Sequence, residues 1–187
     1  MLKTNVFAAL QAQVQPEIDK PHSICLHAPM TFLPNTTCDL TLADEAATVA
    51  LGRALAPLLS MGDFVTLTGD LGAGKSALAR AIIQARLGDD AEDVPSPTFT
   101  LIQTYDTPDL LITHADLYRL GDPSELRELG LNEALDEGAI LMEWPDRMDR
   151  LPAFRLDIVL TITDSNARKV HLTGYGPWAN RLDALNL

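Results

Sequence analysis

Two cysteines, Cys25 and Cys38, are all the thiol that this 187-residue chain carries, and a chain of this size does not depend on a disulfide for a stable core. A reducing compartment is expected, with no disulfide assumed. Long apolar runs are missing as well: nothing approaches the roughly 18 consecutive apolar residues of a spanning helix. The opening MLKTNVFAALQAQVQPEIDK has a short apolar stretch, broken by Gln and followed by acids, unlike a secretion signal. The expectation is a cytoplasmic location. Basic residues are scarce, 14 Lys and Arg against 26 Asp and Glu, giving a net charge of -12. Such a surface repels a phosphate backbone, which proteins grip through Lys and Arg that release its counterions. Direct high-affinity binding to nucleic acid is therefore not expected. Any part in a nucleic-acid pathway would run through a nucleotide or a protein partner.

Internal repeats and low-complexity tracts are absent, and the length suits one core. Residues 1–36 mix Gln, Pro, His and Asn without a sustained period, so they form an N-terminal extension, either a flexible arm or an added helix and strand. His22, Cys25 and His27 lie there without the second half of a metal-ligand pattern. Residues 37–187 are expected to form a single domain.

From Thr37 the pattern sharpens. TCDLTL alternates like a strand, and Asp44 precedes a helix-period stretch to about Ser60. Phe64 to Thr68 is a short apolar run fit for a buried strand; Gly69 to Gly74 interrupts it, and Lys75 to Leu87 has the makings of a helix closed by Gly88. Phe99 to Tyr105 and Leu110 to Leu117 are strand candidates around the turn Asp106-Thr107-Pro108-Asp109. Short helices are expected between Asp122 and Asp136, then an apolar strand from Ala139 to Met142 that ends in Glu143. Leu156 to Thr163 and Lys169 to Thr173 complete a hairpin around Asp164-Ser165-Asn166, and a final helix is expected from Trp178 to Leu185. Crossovers mixed with hairpins indicate an α/β fold: a P-loop NTPase with a mixed-direction central sheet flanked by helices.

The chemistry concentrates at Gly69-Asp70-Leu71-Gly72-Ala73-Gly74-Lys75-Ser76, a full G-x-x-x-x-G-K-[ST] match placed between strand and helix as the motif requires. Glycines let the loop backbone turn its N–H groups toward phosphate oxygens, and the helix start adds the positive end of a dipole. Lys75 would bridge the outer phosphates, and the Ser76 hydroxyl would ligate Mg²⁺. Such a loop needs an acid at the end of a nearby strand, and two are available. Glu143 follows the cleaner apolar run, which favours it beside the metal. Asp116 would then polarise the attacking water or hold a metal-bound one, although spacing leaves the division of roles open.

Thr98, in Ser96-Pro97-Thr98-Phe99, stands where nucleotide switches carry a hydroxyl that senses the γ-phosphate. Trp144 follows Glu143 and is a candidate to lie beside the nucleotide or a partner. His114 is expected to be a satisfied strand histidine. An N-K-x-D tetrapeptide is absent, which disfavours a switch GTPase. No Arg-rich lid segment stands out of the kind a nucleotide kinase closes over its substrates. Arg119 and Arg147 remain as scattered candidates for a charge-stabilising finger, with surface pairing to nearby acids as their ordinary role.

GDLGAGKS at 69–76, SPTFTL at 96–101, HADLYRL at 114–120, LGLNEAL at 129–135 and MEWPDR at 142–147 occur in one order. In them, across roughly residues 37–162, the chain resembles the TsaE family, the ATPase component in bacterial synthesis of threonylcarbamoyladenosine in tRNA. The resemblance implies a mixed-sheet P-loop domain that binds MgATP through Gly69 to Ser76, with Leu78 and Trp144 among the nucleotide contacts. It also implies that Lys75 holds the phosphates, that Ser76, where the family commonly has Thr, shares Mg²⁺ with Glu143, and that Thr98 and Asp116 have functional positions. The helix from Asp44 to Ser60 would lie near the adenine. TsaD and TsaB are the implied partners, and hydrolysis would drive a conformational or assembly step between rounds of modification. Without the resemblance, a small-molecule or nucleotide kinase and a nucleotide-dependent regulatory protein remain as alternatives.

Overall fold

The structure is a computed structural model that describes residues 35–163, 167–183 and 185. The N-terminal residues 1–34, with His22, Cys25 and His27, and the turn 164–166 lie outside the described residues.

Seven strands form one sheet: β1 (Asn35–Leu42), β2 (Phe64–Thr68), β3 (Ile102–Asp106), β4 (Leu111–Asp116), β5 (Gly138–Glu143), β6 (Arg155–Ile162) and β7 (Arg168–Tyr175). Their spatial order is β1-β7-β6-β2-β5-β4-β3. The four central strands, β6, β2, β5 and β4, run parallel; β3 pairs antiparallel with β4 at one edge, and toward the other β7 pairs antiparallel with β6 and β1 antiparallel with β7, so that β1 again points with the central strands. The expected mixed-direction sheet is present. Three of the parallel strands, β2, β4 and β5, are the most buried, and β5 is covered along its whole length, as a strand must be when it is packed on both faces.

Helices α1 (Glu45–Leu55), α2 (Lys75–Leu87) and α4 (Pro177–Asp183) bury one face of the sheet, where Leu51, Leu55, Leu78, Ile82 and Trp178 meet Val65, Leu67, Leu141 and Ile158. A smaller core on the other face joins Phe64, Ile140 and Met142 to Leu135 of α3 (Leu131–Glu137). Helix α1 begins where the carboxylate of Asp44 accepts the Ala47 amide at 2.9 Å, a side-chain N-cap worth about 1 kcal/mol. The helical stretch expected to reach Ser60 tightens to a 3-10 turn over Ala56–Leu58, because Pro57 has no N–H with which to continue the α-helical hydrogen-bond ladder. Gly52 lets α1 cross α2 closely: a Cβ there would lie 2.5 Å from that of Ala81.

β1 begins at Asn35, two residues before the expected Thr37, β7 runs on to Tyr175, and β3 starts later than expected. Phe99 to Leu101 do not extend β3, since Leu101 has a left-handed backbone (φ 64°). Its amide donates to Pro97 O at 2.7 Å and its carbonyl accepts the Asp116 amide at 2.9 Å. These two bonds hold a compact 97–101 turn against the end of β4 and leave the Phe99 ring 82% exposed.

Candidate functional site at the phosphate loop

β2 ends at Thr68 and α2 begins at Lys75, so Gly69 to Gly74 form the loop at the carboxyl ends of the parallel strands. The sequence requires that shape. Gly69, Gly72 and Gly74 have φ of +150°, +80° and +109°, conformations that cost a side-chain-bearing residue about 1–2 kcal/mol. A Cβ on Gly69 would also lie 2.3 Å from Leu160 O of β6. Helix α2 opens on Gly74 with no side-chain cap, so no side chain serves the amides of its first turn, which such a helix start turns toward an anion.

Lys75 is 5% exposed. Its Nζ donates to Gly69 O at 2.7 Å and Asp70 O at 2.9 Å, and it lies 4.0 Å from the centroid of the Trp144 ring. Burial pushes the Lys75 ammonium below its ordinary value, while Glu143, Asp116, Asp70 and Asp146 pull it back up. Trp144 itself has a left-handed backbone (φ 59°), and its ring packs on Tyr118 with centroids 4.9 Å apart.

The two strand-end acids stand side by side, Asp116 and Glu143 being register partners across β4 and β5. Strand β5 is the direct neighbour of β2, and β4 is one strand further away. Glu143, 2% exposed, accepts from Ser76 Oγ at 3.0 Å through Oε2 and pairs with His114 Nε2 at 2.9 Å through Oε1. Asp116 is tied to the 96–98 segment: its Oδ2 accepts from Ser96 Oγ at 2.6 Å and from Thr98 Oγ1 at 2.9 Å. Its Oδ1 accepts the Tyr118 amide at 3.0 Å. Lys75, Ser76, Glu143, Asp116, Thr98 and Trp144 thus gather at one end of the sheet.

The remaining expected contact residues differ in burial. Asp70 and Leu71 are exposed at the tip of the loop, whereas Ala73 and Leu78 are fully buried beneath it. The Leu78 amide is committed to Gly74 O at 2.9 Å, so this residue braces the first turn of α2 from below. Arg119 lies over the Phe99 ring at 4.3 Å. Arg147 is exposed in the 3-10 turn Pro145–Arg147.

Beside the loop a cleft of about 470 Å³ opens between the start of α1 and the start of α2, lined by Ala43, Asp44, Thr48, Gly74, Ala77 and Arg168 among others. Arg168 Nε also donates to Ala73 O at 3.4 Å. A larger cleft of about 640 Å³ lies at the opposite ends of the strands, between Met61, Arg86 and Asp109. It holds none of the motif residues. Among the described residues no three His, Cys, Asp or Glu side chains are arranged to hold a metal. No helix among them is long and apolar enough to cross a membrane.

A phosphate cradle with Ser76 bonded to Glu143, and Asp116 bonded to a hydroxyl-bearing loop, can hold an anion and a divalent cation side by side. The family model described as threonylcarbamoyl adenosine biosynthesis protein TsaE matches residues 42–170. The chain belongs to the TsaE family. The tRNA threonylcarbamoyladenosine biosynthesis protein TsaE of Rickettsia felis is 43% identical over 130 residues, covering 69% of this chain and 75% of that protein. Its namesake in Bacillus subtilis is 37% identical over 140 residues, covering 74% of this chain and 84% of that protein. The crystal structure of YdiB from Bacillus subtilis superposes with a TM-score of 0.66 at 30% identity, over 81% of this chain and 93% of that one. The TsaE match takes in the loop, both acids, Trp144 and Arg168, and stops short of α4.

Three residues at the site were given no site role from the sequence. His114, expected to be an ordinary strand histidine, is fully buried against Glu143. Ser96 shares Asp116 with Thr98, and its place two residues from Thr98 was the available signal. Arg168 reaches the loop from β7, 95 positions away in sequence from Ala73, and nothing local marks it.

Proposed function

We propose that the protein is a Mg²⁺-dependent ATPase that works with TsaD- and TsaB-like partners in the threonylcarbamoyladenosine modification of tRNA, at the adenosine next to the anticodon. The observation that carries the reading is the Ser76–Glu143 hydrogen bond directly beneath the Lys75 loop. Relatives named for threonylcarbamoyladenosine biosynthesis support the pathway. The net charge of -12 supports a protein complex, instead of bare RNA, as the direct partner.

The residues present fit the groups this reading needs. Lys75 has an ammonium already held toward the loop by two carbonyls, and exchanging them for phosphate oxygens keeps every donor satisfied. Ser76 directs its hydroxyl hydrogen at Glu143 and keeps its oxygen lone pairs for a cation. The surrounding carboxylates Glu143, Asp116, Asp70 and Asp146 would repel a bare triphosphate, so a divalent cation is needed to offset them. When bound there, Mg²⁺ supplies charge neutralisation on the phosphoryl group being transferred. Asp116 would orient a water and pass changes at the metal to the 96–101 turn, a role supported by its hydrogen bonds to Ser96 and Thr98. The cleft between α1 and α2 offers room for a base and sugar beside the loop.

Phosphate release from ATP, measured with and without Mg²⁺ and with purified partners, tests this. Free phosphate that depends on Mg²⁺ and rises with partners is expected. Transfer of phosphate to an added small-molecule acceptor would instead make the protein a kinase, and tight MgATP binding with no release at all would make it a regulator.

A further inference from the structure

We propose that His114 is a positioning residue for the divalent-metal site: its Nε2–H fixes one oxygen of Glu143 so that the other faces Ser76 and the cation. The inference rests on the ATPase reading above and adds to it a residue that neither motif spacing nor the loop assigns.

His114 sits in β4 opposite Leu141 of β5, and Asp116 sits opposite Glu143. Registered residues of a parallel pair share a face, as do residues two apart on one strand. His114 is therefore the diagonal neighbour of Glu143 on the face covered by α2. It is 0% exposed, among the most deeply buried polar residues of the protein. Nε2 is 2.9 Å from Glu143 Oε1, and Nδ1 has no hydrogen-bond partner among the described residues.

That pattern selects the tautomer. A proton on Nε2 makes a charge-assisted hydrogen bond to an ionised carboxylate and leaves only a lone pair unmet on Nδ1. A proton on Nδ1 would leave a buried N–H without an acceptor, the less tolerated of the two. The neutral imidazole then acts as a fixed donor. Glu143 has two oxygens with different tasks: Oε1 is anchored by His114, and Oε2 accepts from Ser76 Oγ at 3.0 Å. A carboxylate held at only one oxygen could rotate about its last torsion and take Oε2 away from Ser76. Held at both, it keeps the Ser76 hydroxyl hydrogen on Oε2 and would leave the oxygen lone pairs free for a cation. This is the arrangement by which an outer partner orients a metal ligand, and loss of such partners typically costs roughly 10–100-fold in metal affinity.

The test is ATP binding by the full-length protein, measured by titration calorimetry across a series of Mg²⁺ concentrations and again in excess chelator. His114→Leu removes the donor, His114→Asn is too short to reach Oε1, and His114→Gln returns an N–H near the place of Nε2. For the Leu and Asn variants the Mg²⁺ concentration giving half-maximal tightening should rise about 10-fold or more, while affinity for metal-free ATP stays within about twofold of wild type. His114→Gln should recover most of the loss. The inference is overturned if the Asn variant keeps the wild-type Mg²⁺ midpoint. It is overturned too if the Asn variant weakens metal-free and Mg²⁺-bound ATP equally, or if Gln does no better than Asn, since each points to packing alone. Should His114→Leu fail to fold, the Asn and Gln pair decides. A wild-type protein whose ATP affinity ignores Mg²⁺ removes the ATPase reading itself, and this inference with it.

Discussion

Ser76 Oγ lies 3.0 Å from Glu143 Oε2, joining the first turn of α2 to the end of β5 across 67 positions of sequence. Through that bond the phosphate loop and its acid form one unit, and it leads to the first prediction. Glu143→Gln keeps the volume but leaves one oxygen for the two donors, His114 and Ser76, and removes the charge, so stability should fall by about 1–3 kcal/mol. Mg²⁺-dependent phosphate release should fall roughly 100-fold or more, since metal-side charge stabilisation is worth several kcal/mol and each 1.36 kcal/mol is tenfold. Steady-state phosphate release beside a thermal unfolding curve separates the two effects.

Trp144 reports on Lys75. The ammonium lies 4.0 Å from its ring centroid, a contact of about 1–2 kcal/mol when desolvated, and phosphate would draw the ammonium away. The chain has one other tryptophan, Trp178, which is 1% exposed in the α4 core. ATP should therefore change tryptophan emission in the wild type, and Trp144→Phe should abolish most of the change while still binding nucleotide.

Lys75 also sets a pH dependence. Burial holds its ammonium below the ordinary lysine value of 10.5, so the charged form is disfavoured in the free protein and a bound phosphate would restore it. ATP binding should take up protons on the alkaline side, and affinity should fall as pH rises through the lowered value. In the free protein the sign is opposite: between the lowered value and 10.5 the unfolded chain binds the extra proton, so stability gains with pH. Calorimetry in buffers of different ionisation enthalpy should detect the uptake in the wild type and none from this site in Lys75→Met.

A fourth prediction concerns the scaffold. Arg181 of α4 pairs with Asp63, just before β2, and Arg181 Nη1 also donates to Leu58 O at 2.9 Å. Burial pushes the Asp63 carboxyl above its ordinary 3.8, while Arg181 and the Ser60 amide pull it down. Arg181→Met leaves a buried carboxylate without its partner and should destabilise by about 3 kcal/mol at neutral pH. Because the carboxyl pKa then rises further, the folded state holds its proton more tightly than the unfolded chain. The deficit should shrink as pH falls through that raised value. Denaturant unfolding at pH 7 and at mildly acidic pH checks both parts.

What was legible in the sequence follows from how local each signal is. Phe64–Thr68, the glycine loop and Lys75–Leu87 are adjacent, and each carries its own mark: apolar run, glycines needing positive φ, helix closed by Gly88. All three have the expected bounds. Mixed strand directions followed from hairpins alternating with crossovers, but the order β1-β7-β6-β2-β5-β4-β3 depends on pairings between distant segments such as β1 with β7, which no local pattern encodes. The same limit hid His114. Its hydrogen bond goes to a residue 29 positions away, and only the β4–β5 register makes the two neighbours. Leu101 misled for a different reason: a β-compatible residue in an apolar run adopts φ 64° because Pro97 O and the Asp116 amide both claim its backbone.

The central claim is that the Lys75 loop turns ATP hydrolysis into repeated tRNA modification. The most direct measurement counts rounds of threonylcarbamoylation per partner complex, with purified TsaD- and TsaB-like proteins, MgATP and either the wild type or Lys75→Ala. The account predicts many rounds with the wild type, and with Lys75→Ala a stop near the level reached without the protein. A Lys75→Ala protein that binds MgATP and sustains as many rounds as the wild type would contradict it.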